Sequence, residues 1–210
     1  MAYQPNYKYI PPFEFDFLTP IYDYTCSIIG LGKGFRQQVL KSVEIKSGQT
    51  ILDVGCGTGV FLEVLKQKYP NVKAVGVDPD KKALKIACKR LADEGIELKE
   101  SFAESLPLGD QSVDIVFSSL AFHHMPSVIK QKAIQEIHRV LRPGGKVVIA
   151  DFGPMRNRIL ARVLFFWEKF EYLEGNLKGL IPQFLNQTGF RNVHSVATRS
   201  VIVEIIVAEK

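Results

Sequence analysis

A chain of 210 residues with 46% apolar residues suits one α/β domain, burying roughly 70% of the surface that its unfolded form would expose. Its net charge of +5 and pI near 9.0 permit attraction to nucleic acid or anionic lipid without demanding either. Cys26, Cys56 and Cys88 stand far apart and form no CxxC pair, which argues against a disulfide framework or a metal site. With no signal-peptide pattern and no apolar run near the roughly 20 residues of a bilayer span, the expected location is a reducing cytosol.

Residues 1–49 differ from the rest. Tyr3, Tyr7, Tyr9, Phe13, Phe15, Phe17, Tyr22 and Tyr24 crowd a stretch that also holds Pro5, Pro11, Pro12 and Pro20. This composition predicts an N-terminal cap, with one helix near Gly34–Val43, rather than a strand. From Thr50 short β-branched runs alternate with helical ones, the pattern of a parallel sheet flanked by helices. The predicted strands are Thr50–Val54, Lys73–Asp78, Ile96–Ser101, Val113–Ser118 and Lys146–Asp151. The helices between them are Val60–Lys68, Lys81–Ala92 and Val128–Leu141, the last stopped by Pro143-Gly144-Gly145. Lys81, Lys82, Lys85, Lys89 and Arg90 read as the wet face of a helix whose buried stripe is Ala83, Leu84, Ala87, Cys88 and Leu91. Helices over Met155–Leu173 and Leu177–Gln187 follow. Strands over Asn192–Thr198 and Val201–Ala208, split by Arg199-Ser200, read as a closing hairpin. The expectation is a Rossmann-like three-layer sandwich: a mostly parallel seven-stranded sheet with an antiparallel strand in its C-terminal hairpin. All of 1–210 would be one domain, with a cap over 1–49, a cofactor-binding core over 50–151 and substrate-side helices and closing strands over 152–210.

In open parallel sheets ligands bind beyond the carboxyl ends of the strands, where Gly55-Cys56-Gly57-Thr58-Gly59 falls. Glycines admit close backbone approach, and a helix N-terminus favours an anionic group. The spacing is GxGxG, with Val60 where a dinucleotide loop wants its last glycine, which counts against a pyrophosphate. Asp53, two residues before the loop, could attract the amino group of a methionine moiety. Asp78, ending the second strand, could accept both hydroxyls of a ribose.

Leu52–Gly59, Gly76-Val77-Asp78-Pro79, Ala103-Glu104-Ser105-Leu106-Pro107, Ser112-Val113-Asp114, Ser118 to Met125 and Arg139 to Gly145 resemble the successive motifs of class I methyltransferases. They are most similar to the branch that includes the ubiquinone/menaquinone-biosynthesis C-methyltransferases. The resemblance implies S-adenosyl-L-methionine as cofactor and S-adenosyl-L-homocysteine as product. It implies that the backbone of Gly55, Cys56 and Gly57 meets the methionine part, with Asp53 close by. Asp78 would then hold the ribose, Pro79 would pack near the adenine, and Ser118 and Ser119 would approach the methionine carboxylate or sulfonium. The family commonly has Asp where this chain has Phe102, so adenine recognition would rest on Phe102 and the Ala103 backbone.

Methyl transfer from a sulfonium is a displacement in which the cofactor carries the reactivity and the protein supplies alignment. A general base helps when the acceptor arrives protonated. His123 and His124, after the fourth strand, are the candidates, although helix-start packing is a sufficient reason for the pair. His138 and His194 read as structural. Ile159, Leu160, Val163, Leu164, Phe166, Trp167 and Phe170 exceed one core-facing stripe, while Arg156, Arg158 and Arg162 crowd the start of that helix. With the aromatic N-terminus they suggest a cover for a small lipophilic or aromatic acceptor, such as a quinone precursor or lipid, and a basic edge suited to peripheral membrane contact. Two alternatives stay open: a nucleic-acid-modifying methyltransferase, disfavoured as the partner class, and a non-catalytic cofactor-binding protein.

Overall fold

The computed structural model describes residues 31–92, 94–154, 173–196, 198 and 202–210. Of the expected cap over residues 1–49, residues 1–30 lie outside them, and so does the helix expected over Met155–Leu173 except for Leu173 itself; the described part of the cap holds a helix, Lys33–Leu40, whose Phe35, Val39 and Leu40 are buried in the core.

The elements in chain order are α1 (Lys33–Leu40), β1 (Thr50–Val54), α2 (Val60–Lys68), β2 (Lys73–Asp78), α3 (Lys81–Arg90), β3 (Glu97–Glu100) and β4 (Val113–Ser119). A 3-10 turn at Phe122–His124 leads into α4 (Ser127–Val140), β5 (Leu141–Phe152), α5 (Leu173–Leu177), α6 (Leu180–Thr188), β6 (Arg191–Val196) and β7 (Val203–Glu209). Seven strands form one sheet in the order β3-β2-β1-β4-β5-β7-β6; β7 runs antiparallel to both of its neighbours and the other pairings are parallel. This is the expected Rossmann-like architecture.

Strand alternation builds the three layers. Ile51, Ile115, Phe117, Val148, Ala150, Ile205 and Val207 share one core with Phe35, Val39 and Leu40 of α1, Phe61, Leu62 and Leu65 of α2, and Leu84 and Ala87 of α3. The intervening residues Leu52, Val54, Val116, Val147, Ile149 and Ile206 turn the other way, onto Ile134 and Ile137 of α4 and Ile181 and Leu185 of α6. A strand covered on both faces has no room for polar positions in its middle, hence the near-continuous apolar runs.

Local chemistry sets the helix ends. Asp80 caps α3 by accepting from the Lys82 and Ala83 N–H groups at 2.8 and 3.3 Å. Pro143-Gly144-Gly145 acts differently from the expectation. α4 ends already at Val140, and Leu141 pairs with Val113 as the first residue of β5. The register then shifts so that Lys146 pairs with Ile115, and Arg142–Gly145 bulge outwards between them. The chain end closes that bulge: Gly144 N–H donates to Lys210 O, and Lys210 N–H to Gly145 O, both at 2.9 Å. At the same edge Asp114 accepts from Thr50 N–H and from Arg142, at 2.7 and 2.6 Å. This polar edge lies at the amino ends of the parallel strands, opposite the carboxyl ends where the site forms.

The basic face of α3 is solvated at Lys81, Lys82, Lys85 and Lys89, but Arg90 turns inwards, its guanidinium 3.5 Å from the Thr58 hydroxyl of the glycine loop. Among the described residues no helix is long and apolar enough to cross a membrane.

Candidate active site

β1 leads outwards to β2 and β3, whereas β4 leads to β5 on the other side, so the sheet reverses its winding between β1 and β4. The crevice at such a reversal is where open α/β sheets take ligands. The glycine loop leaves β1 there, and Ser118-Ser119 end β4 beside it.

The loop is fixed by its neighbours. Gly55 and Cys56 N–H groups both donate to Val77 O, at 2.8 and 3.1 Å. Gly57 N–H donates to Asp78 Oδ2, and Asp80 N–H to Asp78 Oδ1, each at 2.8 Å. Asp78 therefore clamps the loop to the end of β2 while each of its oxygens keeps a further lone pair for a hydroxyl donor. Burial raises the Asp78 pKa to about 6, against the pull of these two N–H groups. Gly55 has φ +77°, and a side chain there would collide with the Ala121 Cβ. Only glycine lets the loop pass so close to the β4 turn.

Asp53 is 1% exposed, and neither of its carboxylate oxygens has a hydrogen-bond partner among the described residues. Burial pushes its pKa up to about 8; the charge of Arg36 pulls it down and that of Asp78 adds to the rise. A buried carboxylate without donors is costly unless a ligand completes it. Cys56 is buried, and burial, with Asp53 and Asp78 nearby, holds its thiol well above the ordinary range, so it is no nucleophile.

Ser118 and Ser119 divide. Ser118 Oγ donates to Val54 O at 2.8 Å and ties β4 to β1, whereas the buried Ser119 Oγ has no partner among the described residues. Leu120 follows at φ +59°, a left-handed conformation that strains any residue with a Cβ. Pro79 and Phe102 are part-exposed and Ala103 is buried; Ser101 N–H donates to Asp78 O at 3.2 Å and keeps that segment beside the second acidic strand end.

His123 and His124 form the 3-10 turn, ring centroids 4.0 Å apart, with His123 edge-on to Phe152 at 4.8 Å. His123 is buried, and its Nδ1 lies 2.8 Å from Asp151 Oδ1. Asp151 also accepts from Phe122 N–H at 2.7 Å, His123 N–H at 3.3 Å, Phe152 N–H at 2.7 Å and Asn176 Nδ2 at 3.2 Å. Burial alone would raise its pKa; the His123 charge and hydrogen bond, the Phe152 N–H and Lys130 outweigh that and hold it low. Burial lowers the His124 pKa to about 3, with the charges of His123 and Lys130 adding to the shift. His124 is therefore a neutral, weak base at neutral pH. Lys130 is fully buried on α4, and burial brings it to about 8 while Asp151 counteracts.

The remaining histidines lie apart from this crevice. His138 stands edge-on to Phe190 at 5.0 Å, and His194 is exposed on β6. Arg36, Asp151 and Asn176 escaped the sequence reading. Asp151 had a signal, an acidic residue at a strand's carboxyl end. Arg36 had none, since a basic residue on a short helix reads as solvated.

A family model described as a methyltransferase domain matches residues 52–149. Two curated relatives cover most of the chain. Demethylmenaquinone methyltransferase of Lactobacillus johnsonii is 33% identical over 78% of this chain and 68% of its own length. The ubiquinone/menaquinone biosynthesis C-methyltransferase of Geobacter sulfurreducens is 30% identical over 81% and 68%. Among solved structures, Haemonchus contortus phosphoethanolamine N-methyltransferase 2, in complex with S-adenosyl-L-methionine, superposes with a TM-score of 0.74. That match, at 23% identity, covers 87% of this chain and 43% of the nematode protein, and is a likeness of fold.

Proposed function

The chain belongs to the class I S-adenosylmethionine-dependent methyltransferases, and we propose that it methylates a small lipophilic or aromatic acceptor of the quinone-precursor type. The observation that carries the acceptor class is the pair of curated relatives named for menaquinone and ubiquinone synthesis, each at least 30% identical over more than three quarters of this chain. The aromatic ring of Phe152, edge-on to His123 at the turn after β4, supports it.

S-adenosyl-L-methionine brings an activated methyl group, and S-adenosyl-L-homocysteine is the product. The residues present fit it. The unpartnered Asp53 carboxylate takes the ammonium of the methionyl end, and the Gly55-Cys56-Gly57 backbone lies against it. Asp78 accepts the ribose hydroxyls on lone pairs that Gly57 and Asp80 leave open. Pro79, Phe102 and Ala103 line the adenine, and Ser119 faces the methionyl end beside Ser118. On the acceptor side His123 is the better placed base, because Asp151 orients its ring while His124 has lost basicity.

Incubation with the methyl-labelled cofactor and a panel of reduced naphthoquinols, simple phenols, phospholipids and transfer RNA, read by mass spectrometry, tests the proposal. A methylated naphthoquinol or phenol is expected. Transfer to RNA alone, or no transfer by protein that binds S-adenosylhomocysteine, would overturn it.

A further inference from the structure

We propose that Lys130, buried on α4, is a positioning residue for the methyl transfer: its ammonium is the counter-ion of Asp151 and so leaves His123 neutral, able to take a proton from the acceptor. The inference rests on the reading of His123 as the acceptor-side base.

A fully buried lysine is rare unless it is paired, and the fold holds this one in place. Ala133, Ile134 and Ile137 of α4 sink into the core with Val147 and Ile149 of β5, which sets the rotation of the helix. Lys130 stands three, four and seven positions before them and so shares their face, with 0% of its surface exposed. Its ammonium reaches α5: a Cβ on Gly175 would stand 3.4 Å from Lys130 Nζ and 2.8 Å from Ser127 Oγ. The next residue, Asn176, donates to Asp151 Oδ1 at 3.2 Å, and that oxygen lies 2.8 Å from His123 Nδ1. Ammonium, carboxylate and imidazole thus gather where α4, α5, β5 and the 3-10 turn meet.

Each charge supports the other. Lys130 helps to hold Asp151 ionised, and Asp151 opposes the loss of the Lys130 proton, so the ammonium form prevails at pH 7. Among the described residues two other titratable groups come near. His124 is a neutral, weak base, and Glu204, opposite Asp151 on β7, accepts instead from the Ser195 hydroxyl of β6.

Four N–H donors solvate the Asp151 charge without cancelling it. Were no other cation near, the adjacent imidazole would hold the compensating proton, because a buried carboxylate left alone is strongly unfavourable. An imidazolium has no lone pair to offer and is no base. With Lys130 present, that pair sums to zero charge. His123 then keeps one proton on Nδ1 for Asp151, and the lone pair falls to Nε2. Balanced, the acceptor exchanges its proton for the methyl group, the methyl–sulfur bonding pair stays on sulfur, and His123 holds the proton until solvent takes it.

Nitrogen NMR on the full chain with labelled histidine, in the presence of S-adenosylhomocysteine, reads the His123 ring directly. The wild-type protein should show it neutral at pH 7.5, with the proton on Nδ1. Lys130→Met should move its titration midpoint up by about one pH unit or more, and Lys130→Arg should restore it. The acid limb of kcat/KM, measured on whichever naphthoquinol or phenol the wild-type enzyme methylates, should move with it. A doubly protonated His123 in the wild-type protein at pH 7.5 overturns the proposal even if Lys130→Met fails to fold. So does an unshifted midpoint in a folded Lys130→Met protein, whatever its activity, or an equal shift in Lys130→Arg. A His123→Gln enzyme with undiminished methyl transfer would instead remove the reading of His123 as base, independently of the NMR result.

Discussion

Replacing Asp53 by Asn keeps the shape of the side chain and removes a charge that the folded protein resists. The Asp53 carboxyl titrates at 3.8 in its ordinary setting and at about 8 when folded, with burial the largest cause. At neutral pH folding must therefore draw a proton onto it, which at 1.36 kcal/mol per unit costs at most about 4 kcal/mol at pH 7. The sign follows from the raised value: the penalty is absent below pH 3.8 and grows until pH passes the folded pKa. Asp53→Asn carries no such penalty. For a chain of this size roughly 2–4 °C accompanies each kcal/mol. In thermal unfolding without ligand, the two proteins should melt together near pH 4. The variant should then draw ahead, by roughly 10–20 °C at pH 8. Titration with S-adenosylhomocysteine should show the opposite ranking, with the variant weaker by about tenfold or more, because the ammonium has lost its carboxylate. A melting difference that does not change with pH, or undiminished binding, would refute the reasoning. Opposed effects on stability and binding are expected of a group kept for its ligand.

Asp78→Asn keeps one acceptor oxygen for Gly57 or Asp80, so the fold should survive while S-adenosylhomocysteine binding by calorimetry falls about tenfold or more. Gly55→Ala meets both φ +77° and the Ala121 side chain. It should lose about 1–3 kcal/mol in urea titration, and the double variant with Ala121→Gly should recover only the steric share. Asp151→Ala leaves His123 and Asn176 without their shared acceptor and should cost about 3–5 kcal/mol. The pKa of Asp151 is held low, so its contribution is present above pH 3.8 and fades as pH falls through the folded value. Wild-type stability should show that acid loss, and the Asp151→Ala protein should lack it.

The sequence by itself determined the alternation from Thr50 onwards. β1, α2 and β2 form with their expected limits, because period-2 runs and the glycine loop are local signals that packing reinforces. It also determined the crevice, since a glycine loop after one strand and an acidic residue at the end of the next converge in any right-handed parallel sheet. Where partners decide, the expectation moved. The third strand shrank from Ile96–Ser101 to Glu97–Glu100, since as an edge strand it lasts only while β2 opposes it. Pro143-Gly144-Gly145 became a bulge because Val113 captured Leu141 and the chain end sealed the gap. Ser118 and Ser119 look alike as letters, but strand alternation turns one hydroxyl to Val54 O and leaves the other unpartnered. His123 and His124 are adjacent too, yet only His123 meets Asp151, a residue 28 positions away. Arg36 reads as a solvated cation until α1 packs beside β1. Charge, burial and idle donors are properties of a neighbourhood, and distant segments supply the neighbours only once the chain has folded.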